Sequence, residues 1–387
     1  MKAFEIKNDI YWVGGIDWTL RDFHGYLTQR GSTYNAYLIV DEKIVLVDTV
    51  KHYLCEEMLD RIGSVTDPSK IDYIVSNHVE MDHSGSLPRL MEICRNATVI
   101  ASPNGEIGLK KHFTADWNFK VVKTGDSINI GKRNLNFVLT QMVHWPDSMV
   151  TYIPEDKLLL SNDSFGQHIA SPERFDDELG WENIRDEAAK YYANIVLPYG
   201  MQVGKALNAV SGLEIDMIAP SHGLIWRKNI NNICELYKKW SGNVTEDKAI
   251  IVYDAMWGST ETIARIIYEV FEEKGIKAYL FDLKKNHSSD IMTHILTAKY
   301  ICVGSPTLNN GMLPSVSAFL TYLKGLAPKN RIALAFGSYG WGGQSISQIN
   351  DILAGCSFDM LEFIKAQYIP DIIEIKELTR RILGGIV

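Results

Sequence analysis

Residues 77–85 read NHVEMDHSG and place two imidazoles and two carboxylates, His78, Glu80, Asp82 and His83, within six residues. The apolar run IDYIVS at 71–76 comes directly before them, so the stretch predicts a buried strand that ends in a polar loop. Four titratable groups this close together would repel one another or stay unsatisfied if they were buried without a cation. The stretch therefore indicates a metal site.

Three more residues of metal-binding type follow predicted strands elsewhere. His144 comes after LNFVLT, Asp163 after KLLL and His222 after EIDMIA. Neighbouring strands of one sheet would bring these ends together. Three or four histidines with three carboxylates exceed the ligands of one tetrahedral zinc and suit two metal ions that share a carboxylate. Asp163 is the candidate bridge, because each of its oxygens can hold one ion.

Each of these residues also has a structural explanation. A single histidine at a strand end is more often a hydrogen-bonded structural residue than a ligand, and Asp163 could cap a turn. Whether His83 is a ligand stays open, because its neighbour Asp82 already occupies that part of the site. Of the histidines outside the cluster, His168 and His24 are the candidates for a supporting role.

The pattern of the chain changes near residue 245. Short alternating or apolar runs such as TYNAYLIV and SMVTYIP fill the first part and predict two sheets with a few helices. The second part alternates buried strands with amphipathic helices, which predicts a parallel sheet covered on both faces. We expect domains at 1–246 and 247–387, with a linker at SGNVTEDK, residues 241–248.

Composition excludes several classes of protein. The chain of 387 residues is 46% hydrophobic and 22% charged, which suits two globular domains. Its net charge of -8 argues against nucleic acid as a partner. Its N-terminus lacks the pattern of a secretory signal, and we expect no membrane segment. With five widely spaced cysteines and no C-x-x-C pair, we expect reduced thiols and a cytoplasmic protein.

The string H-x-E-x-D-H, followed by His144, Asp163 and His222, resembles the metallo-β-lactamase fold as it occurs in flavodiiron proteins, also called A-type flavoproteins. In the hydrolases of that fold the string is typically H-x-H-x-D-H and the metal is commonly zinc. Glu80 replaces a neutral imidazole with an anionic oxygen, which favours iron and stabilises its ferric state. The resemblance implies a diiron centre bridged by Asp163 and a solvent oxygen.

The second domain contains three loops typical of a flavodoxin. MWGSTET at 256–262 lies between a predicted strand and helix, where backbone amides, hydroxyls and the helix N-terminus would bind a phosphate monoester. SPTLNNG at 305–311 and SYGWGG at 338–343 also follow buried strands and resemble the loops that flank the flavin ring. The expected FMN-binding residues are Met256, Trp257, Gly258, Ser259, Thr260, Thr262, Ser305, Pro306, Thr307, Leu308, Asn309, Asn310, Gly311, Ser338, Tyr339, Gly340, Trp341, Gly342 and Gly343.

The resemblance covers the whole chain and implies an α/β fold, with an N-terminal metallo-β-lactamase-like αβ/βα sandwich and a C-terminal flavodoxin-like doubly wound parallel sheet. It implies an oxidoreductase that reduces O2 to water with four electrons, two from the flavin and one from each iron. Reduction of NO to N2O on the same site is the alternative. A zinc-dependent hydrolase and a pure FMN electron carrier are the rivals from other classes. We expect His168, with Tyr191 or Tyr192, to donate protons or hydrogen bonds at the site.

The resemblance also implies partners. The sequence stops at GGIV without a rubredoxin-type pair of C-x-x-C motifs, so we expect a separate electron donor, either reduced coenzyme F420 (F420H2) or rubredoxin. Family members place the FMN of one subunit against the irons of another, so we expect a head-to-tail homodimer or tetramer. An anaerobic or microaerobic host is likewise implied by the family.

Overall fold

The chain divides into two compact units in the computed structural model, which describes residues 1–114 and 116–384. The first unit comprises Met1–Tyr191 and Tyr199–Lys238, and the second comprises Tyr192–Pro198 and the described residues from Lys239 onward. The boundary expected between residues 246 and 247 stays a prediction. Among the described residues, no helix combines the length and apolar character needed to cross a bilayer.

The first unit contains two large sheets. The first sheet is ordered β1-β2-β7-β8-β9-β10-β11 and the second β12-β13-β14-β15-β16. The strands of the unit are β1 Phe4–Lys7, β2 Ile10–Trp12, β3 Gly15–Asp17, β4 Asp22–Phe23, β5 Tyr26–Leu27, β6 Ser32–Tyr34, β7 Tyr37–Val40, β8 Ile44–Val47, β9 Tyr73–Ser76, β10 Thr98–Ala101, β11 Asn118–Val121, β12 Ser127–Asn129, β13 Asn134–Leu139, β14 Met149–Ile153, β15 Leu158–Asn162 and β16 Met217–Pro220.

The two sheets pack face to face over one buried core. Ile39 and Val75 of the first sheet share that core with Phe137, Met149 and Leu160 of the second. Helices cover the outer faces: α1 Cys55–Gly63, α2 Met81–Ser84, α3 Leu87–Ile93, α4 Pro103–Phe113, α5 Asp176–Leu179, α6 Trp181–Tyr191, α7 Gly200–Val210 and α8 Ile230–Ser241. This arrangement is the predicted αβ/βα sandwich, and most of its strands are apolar on the face that meets the core.

The second unit is a parallel sheet ordered β18-β17-β19-β20, with β21 and β22 both paired to β20. Its strands are β17 Glu246–Tyr253, β18 Lys277–Asp282, β19 Ala298–Gly304, β20 Ile332–Tyr339, β21 Asp359–Met360 and β22 Ile364–Gln367. Its helices are α9 Ser259–Glu273, α10 Ser288–Ile295, α11 Pro314–Leu326, α12 Gln344–Gly355 and α13 Ile372–Gly384. This is the strand order of a flavodoxin-like doubly wound sheet.

The expected linker at 241–248 differs in the structure. Helix α8 ends at Ser241 and β17 already begins at Glu246, so the charged part of the segment belongs to a strand. Backbone pairing decides this point: the N–H of Glu246 donates to the carbonyl of Thr297 at 2.7 Å, and this extends the strand beyond its apolar core. The prediction from polarity was therefore wrong for residues 246–248, which belong to β17 and not to a linker.

Candidate metal centre and flavin site

The opening string folds into an extended segment followed by one helical turn. His78 and Glu80 lie two residues apart in the extended part, whereas Asp82 and His83 lie within α2, which begins at Met81. The turn divides the four side chains between two adjoining groups of ligand atoms. Sequence reasoning had placed all four in a loop, because a helix of one turn has no periodic pattern to reveal it.

Seven side chains form these two groups. The first group contains His78, Glu80, His144 and Asp163, and the second contains Asp82, His83 and His222. All seven are buried or nearly so, with only the side chain of His144 as much as 12% exposed. The structure thus brings together every residue that the sequence indicated as a metal ligand, including His83.

Asp163 faces both groups with different oxygens. Its Oδ2 lies 3.3 Å from Nε2 of His144 and 3.7 Å from Nε2 of His78. Its Oδ1 lies 3.1 Å from Nε2 of His83 and 3.4 Å from Nε2 of His222. A carboxylate in this position can bridge two ions, one on each side.

Several of these buried atoms have no hydrogen-bond partner among the described residues. Both carboxylate oxygens of Asp82 and Asp163 and both ring nitrogens of His83 are in this state. Buried polar atoms are almost always satisfied, so orphaned atoms that converge on one point fit bound cations. A set of imidazoles and carboxylates without thiolates suits iron as well as zinc.

The charges of the cluster agree with this interpretation. Burial opposes the charged form of each imidazole, but Asp163 and Glu80 raise the pKa of His144 to about 9. Burial likewise opposes charge on His222, whereas Asp163 and Asp82 raise its pKa to about 10. Burial raises the pKa of the Asp163 carboxyl, but the surrounding imidazoles hold it well below its usual range. Three buried carboxylates therefore demand positive charge, from protons or from metal ions.

Partners that the sequence did not indicate orient the imidazoles. Nδ1 of His78 lies 2.9 Å from Oδ2 of Asp147, and Nδ1 of His222 lies 2.8 Å from the carbonyl oxygen of Thr33. If each Nδ1 carries the hydrogen and donates it, Nε2 is left free to face the cluster, as in most histidine metal sites. In the sequence, only the position of Asp147, three residues after the predicted ligand His144, could have indicated that it lies near the metal site.

A buried aspartate supports two of the loops that bear these ligands. Asp48 accepts hydrogen bonds from the backbone N–H of Asn77 at 2.8 Å and from the Oγ of Ser221 at 3.4 Å. Asn77 precedes His78 and Ser221 precedes His222. Asp48 thus ties the carboxyl end of β9 to that of β16.

The two candidate supporting histidines both lie beside the cluster. His24 places its Nε2 3.0 Å from Oε1 of Glu80, and its side chain is 72% exposed. His168 is fully buried, with its Nδ1 2.8 Å from the Oγ of Ser32 and its ring 4.8 Å from that of His222. Burial and the neighbouring charges hold the pKa of His168 well below its usual range, so its ring is neutral.

The two candidate tyrosines have different surroundings. The ring of Tyr191 lies 5.2 Å from that of His168 and 5.9 Å from that of His222. Tyr192 belongs to the second unit, where its ring lies 5.2 Å from that of Trp240. Tyr191 is therefore packed beside the rings of His168 and the predicted ligand His222. The role of His168 in catalysis stays a prediction.

A cavity of about 720 Å³ opens at the carboxyl ends of the strands in the second unit. Its wall contains residues of all three loops that the sequence indicated, namely Met256, Trp257, Ser259, Thr260, Pro306, Thr307, Leu308, Asn309, Ser338, Tyr339, Gly340 and Trp341. Trp257 is 94% exposed and Trp341 81% exposed, and a bound flavin ring would cover such aromatic surface. The volume and lining fit FMN.

The first loop ends at the N-terminus of α9, where a phosphate would bind. Gly258 adopts a positive φ of 89° and ends the loop, and the helix begins at Ser259. The hydroxyl of Thr260 lies 2.8 Å from that of Ser338, so two of the three loops are joined by a buried hydrogen bond. The hydroxyl of Thr262 donates to the carbonyl of Gly258 at 3.1 Å, which closes the first turn of the helix.

Seven of the expected flavin residues lie outside the cavity wall, and Asn310 is one of them. Asn310 and the wall residue Asn309 both have positive φ and form a tight turn closed by reciprocal backbone hydrogen bonds between Leu308 and Gly311. Asn310 borders a smaller pocket beside Trp341. The other residues outside the wall are Gly258, Thr262, Ser305, Gly311, Gly342 and Gly343.

The structure adds two residues to this cavity. Tyr368 and Ile369 line it, and the backbone N–H of Tyr368 donates to the carbonyl of Tyr339 at 2.7 Å. Both follow β22, whose pairing with β20 brings them beside the third loop. Neither residue was predicted, because both lie outside the three loops that the sequence indicated.

Comparison with known proteins gives the same division of the chain. Residues 33–223 match the model of the ODP family beta lactamase, and residues 251–380 match that of flavodoxin. The solved flavodiiron protein of Giardia intestinalis superposes with a TM-score of 0.94 at 34% identity, covering 99% of this chain and 97% of that one. This chain belongs to the flavodiiron proteins.

Two further relatives agree with this family. The rubredoxin oxygen:oxidoreductase from Desulfovibrio gigas superposes with a TM-score of 0.97 at 42% identity, covering 99% of this chain and 98% of that one. A nitric oxide reductase of Moorella thermoacetica is 45% identical, covering 98% of both chains. The predicted family, its two-domain α/β fold and an oxidoreductase are confirmed, and membership implies FMN and a diiron centre. The names of these relatives match the predicted reduction of O2 or NO.

Proposed function

We propose that this flavodiiron protein reduces O2 to water at a diiron centre that receives electrons through FMN. The observation that carries the proposal is the position of Asp163, whose two oxygens face two separate groups of ligand atoms. Two adjoining ligand groups suit a pair of ions, and an FMN-sized cavity in the same chain suits electron transfer to them.

We assign one iron to His78, Glu80 and His144, and the other to Asp82, His83 and His222, with Asp163 between them. His83 is included because its Nε2 lies closer to Asp163 than any other imidazole nitrogen of the cluster does, at 3.1 Å. Both of its ring nitrogens are otherwise without hydrogen-bond partners among the described residues. Orienting contacts from Asp147 and Thr33 would hold His78 and His222 in place.

When bound, the two irons and the reduced FMN supply the four electrons that convert O2 to two water molecules. The chain must supply four protons for the same reaction. His24 is placed for this role, because its Nε2 contacts Glu80 while most of the side chain reaches solvent. His168 is neutral and buried, so it suits a role in which it holds one hydrogen and orients a neighbour.

Reduction of two NO molecules to N2O and water, which takes two electrons and two protons, is the second candidate activity. The likeness to the Moorella nitric oxide reductase favours it. Zinc-dependent hydrolysis is less well supported, since it gives no role to a cavity of this size with exposed aromatic residues.

We further propose an external electron donor and a head-to-tail homodimer or tetramer. A rubredoxin-type donor is supported by the name of the Desulfovibrio gigas protein, and F420H2 is the alternative. Light scattering at assay dilution tests the assembly, and a fully active monomer would contradict it. A cytoplasmic location and an anaerobic host stay predictions.

The activity is tested with holoenzyme reduced by a rubredoxin system or by F420H2, and O2 and NO are supplied in separate assays. We expect four electrons to be consumed per O2, with no hydrogen peroxide released. Glu80→Ala should abolish gas consumption, and the exposed variant Glu56→Ala, in the same domain, should retain it. Equal gas consumption by the parent and Glu80→Ala would reject the assigned site.

A further inference from the structure

We propose that Asp254, Lys284 and Ser315 form a positioning network that holds the first flavin loop, residues 256–262, in the conformation that binds the phosphate of FMN. The proposal rests on the part of the proposed function that assigns FMN to the second unit, and it is independent of which gas is reduced. The three residues come from three segments of that unit, namely the residue after β17, the turn after β18 and the first turn of α11.

The carboxylate of Asp254 joins these segments and is only 5% exposed. Its Oδ2 accepts a hydrogen bond from the Oγ of Ser315 at 2.5 Å, and its Oδ1 lies 3.0 Å from Nζ of Lys284. The backbone N–H of Ala255 donates to the same Oδ1 at 2.7 Å. A buried carboxylate is costly unless it is paired and hydrogen-bonded, and both oxygens are engaged in this way.

Lys284 holds the residue at which the first flavin loop begins. Its Nζ donates to the carbonyl oxygen of Ala255 in addition to pairing with Asp254. The N–H and the carbonyl of Ala255 are therefore both engaged by the network, and the next residue, Met256, lines the flavin cavity. Lys284 is fixed in turn, because its backbone N–H donates to Oδ1 of Asp282 at 2.9 Å.

The network also reaches the second flavin loop, which begins at Ser305. Ser315 lies in the first turn of α11, and the backbone N–H of Leu313, the residue before that helix, donates to the Oγ of Ser305 at 2.9 Å. The backbone N–H of Asp254 donates to the carbonyl of Gly304, directly before Ser305, at 3.3 Å. Asp254 thus connects the start of the first flavin loop to the start of the second.

The wall of the flavin cavity explains why the position of the first loop matters. None of the described residues that line this cavity has a charged side chain. A phosphate dianion would therefore be held by backbone N–H groups, hydroxyl groups and the N-terminus of α9, and such contacts depend on direction. An unpaired carboxylate at Asp254, bonded to the residue that begins the loop, would oppose an anion there, and Lys284 offsets this charge.

Lys284→Met tests the network in the full-length chain, because methionine keeps the apolar stem and removes the ammonium group. The side chain is 56% exposed, and an ion pair this exposed contributes little to stability, so we expect the variant to fold. Fluorescence titration should show FMN affinity lowered by roughly tenfold more than riboflavin affinity, since riboflavin lacks the phosphate. Lys274→Met, an exposed change just after α9 ends, is the matched control and should bind both flavins like the parent.

Two further variants test whether the residues act together. Lys284→Arg keeps the positive charge and the hydrogen-bond donors, so it should restore most of the FMN affinity. The double variant Lys284→Met with Asp254→Asn should lose no more FMN affinity than Lys284→Met alone, because asparagine removes the carboxylate that the first change leaves unpaired. Iron content should equal that of the parent in every variant, since the metal ligands lie in the first unit.

Three results would overturn the network. These are a Lys284→Met variant with the FMN affinity of the parent, equal losses for FMN and riboflavin, and losses that multiply in the double variant. The titrations involve neither O2 nor NO. A parent protein that consumes neither gas would therefore reject the proposed function, while the flavin affinities would still decide the role of Lys284.

Discussion

Nδ1 of His78 lies 2.9 Å from Oδ2 of Asp147, and the same oxygen accepts the backbone N–H of Val79 at 2.8 Å. One carboxylate oxygen thus orients the imidazole and the backbone that leads to Glu80. Both groups are buried, so the contact is protected from water. A carboxylate behind a ligating imidazole fixes its tautomer and increases its basicity, which strengthens metal binding.

Asp147→Asn tests this relationship. The amide keeps the size of the side chain but loses the charge that orients His78, so we expect iron affinity to fall by roughly 10- to 100-fold. Iron retained during a chelator titration measures the effect. Asp116→Asn, an exposed change in the same domain, is the control. Equal retention of iron in the two variants would show that Asp147 does not support iron binding.

Glu80→His tests why the string contains a glutamate. The variant restores the pattern H-x-H-x-D-H and replaces an anionic oxygen with a neutral nitrogen, so we expect the bound ratio of zinc to iron to rise. Metal content after loading from an equal mixture of both ions measures the preference. An unchanged ratio would show that Glu80 does not select the metal.

Ser259→Ala tests the phosphate position at the N-terminus of α9. The hydroxyl lies on the cavity wall, and a hydrogen bond to a charged phosphate contributes about 1.5–3 kcal/mol, so FMN affinity should fall at least roughly tenfold. Riboflavin lacks the phosphate and serves as the matched ligand control. Fluorescence titration should show unchanged riboflavin affinity, and equal losses for both flavins would contradict the assignment.

Tyr368→Ala tests the residue that the structure added to the flavin cavity. Loss of an aromatic contact with the flavin ring should weaken FMN binding by about 1 kcal/mol, or roughly fivefold. Phe363→Ala removes an aromatic residue from outside the cavity wall and is the control. Similar FMN affinities in the two variants would place Tyr368 away from the bound ring.

The residues of the ligand cluster could be predicted from the sequence because each of them comes shortly after the end of an apolar strand. His144 follows β13, Asp163 follows β15 and His222 follows β16, and all three strands belong to the second sheet. A polar residue at the end of an apolar run is visible without knowing the fold. The three flavin loops were visible for the same reason, since each follows a strand of a parallel sheet.

The supporting residues could not be predicted, because they depend on contacts between distant parts of the chain. Asp147 reaches His78 across 69 positions, and Tyr368 reaches the flavin cavity only through the pairing of β22 with β20. The side of the cluster that His83 faces depends on the single turn of α2. Such features have no local pattern that a sequence can display.

The content of metal and flavin per chain, measured in protein produced with iron supplied, tests the central claim most directly. Asp163 faces two ligand groups, and the three loops of the second unit line a cavity of a size that suits FMN. We expect two irons and one FMN per chain. Two zinc ions that persist despite available iron, with little flavin, would contradict it and favour a hydrolase.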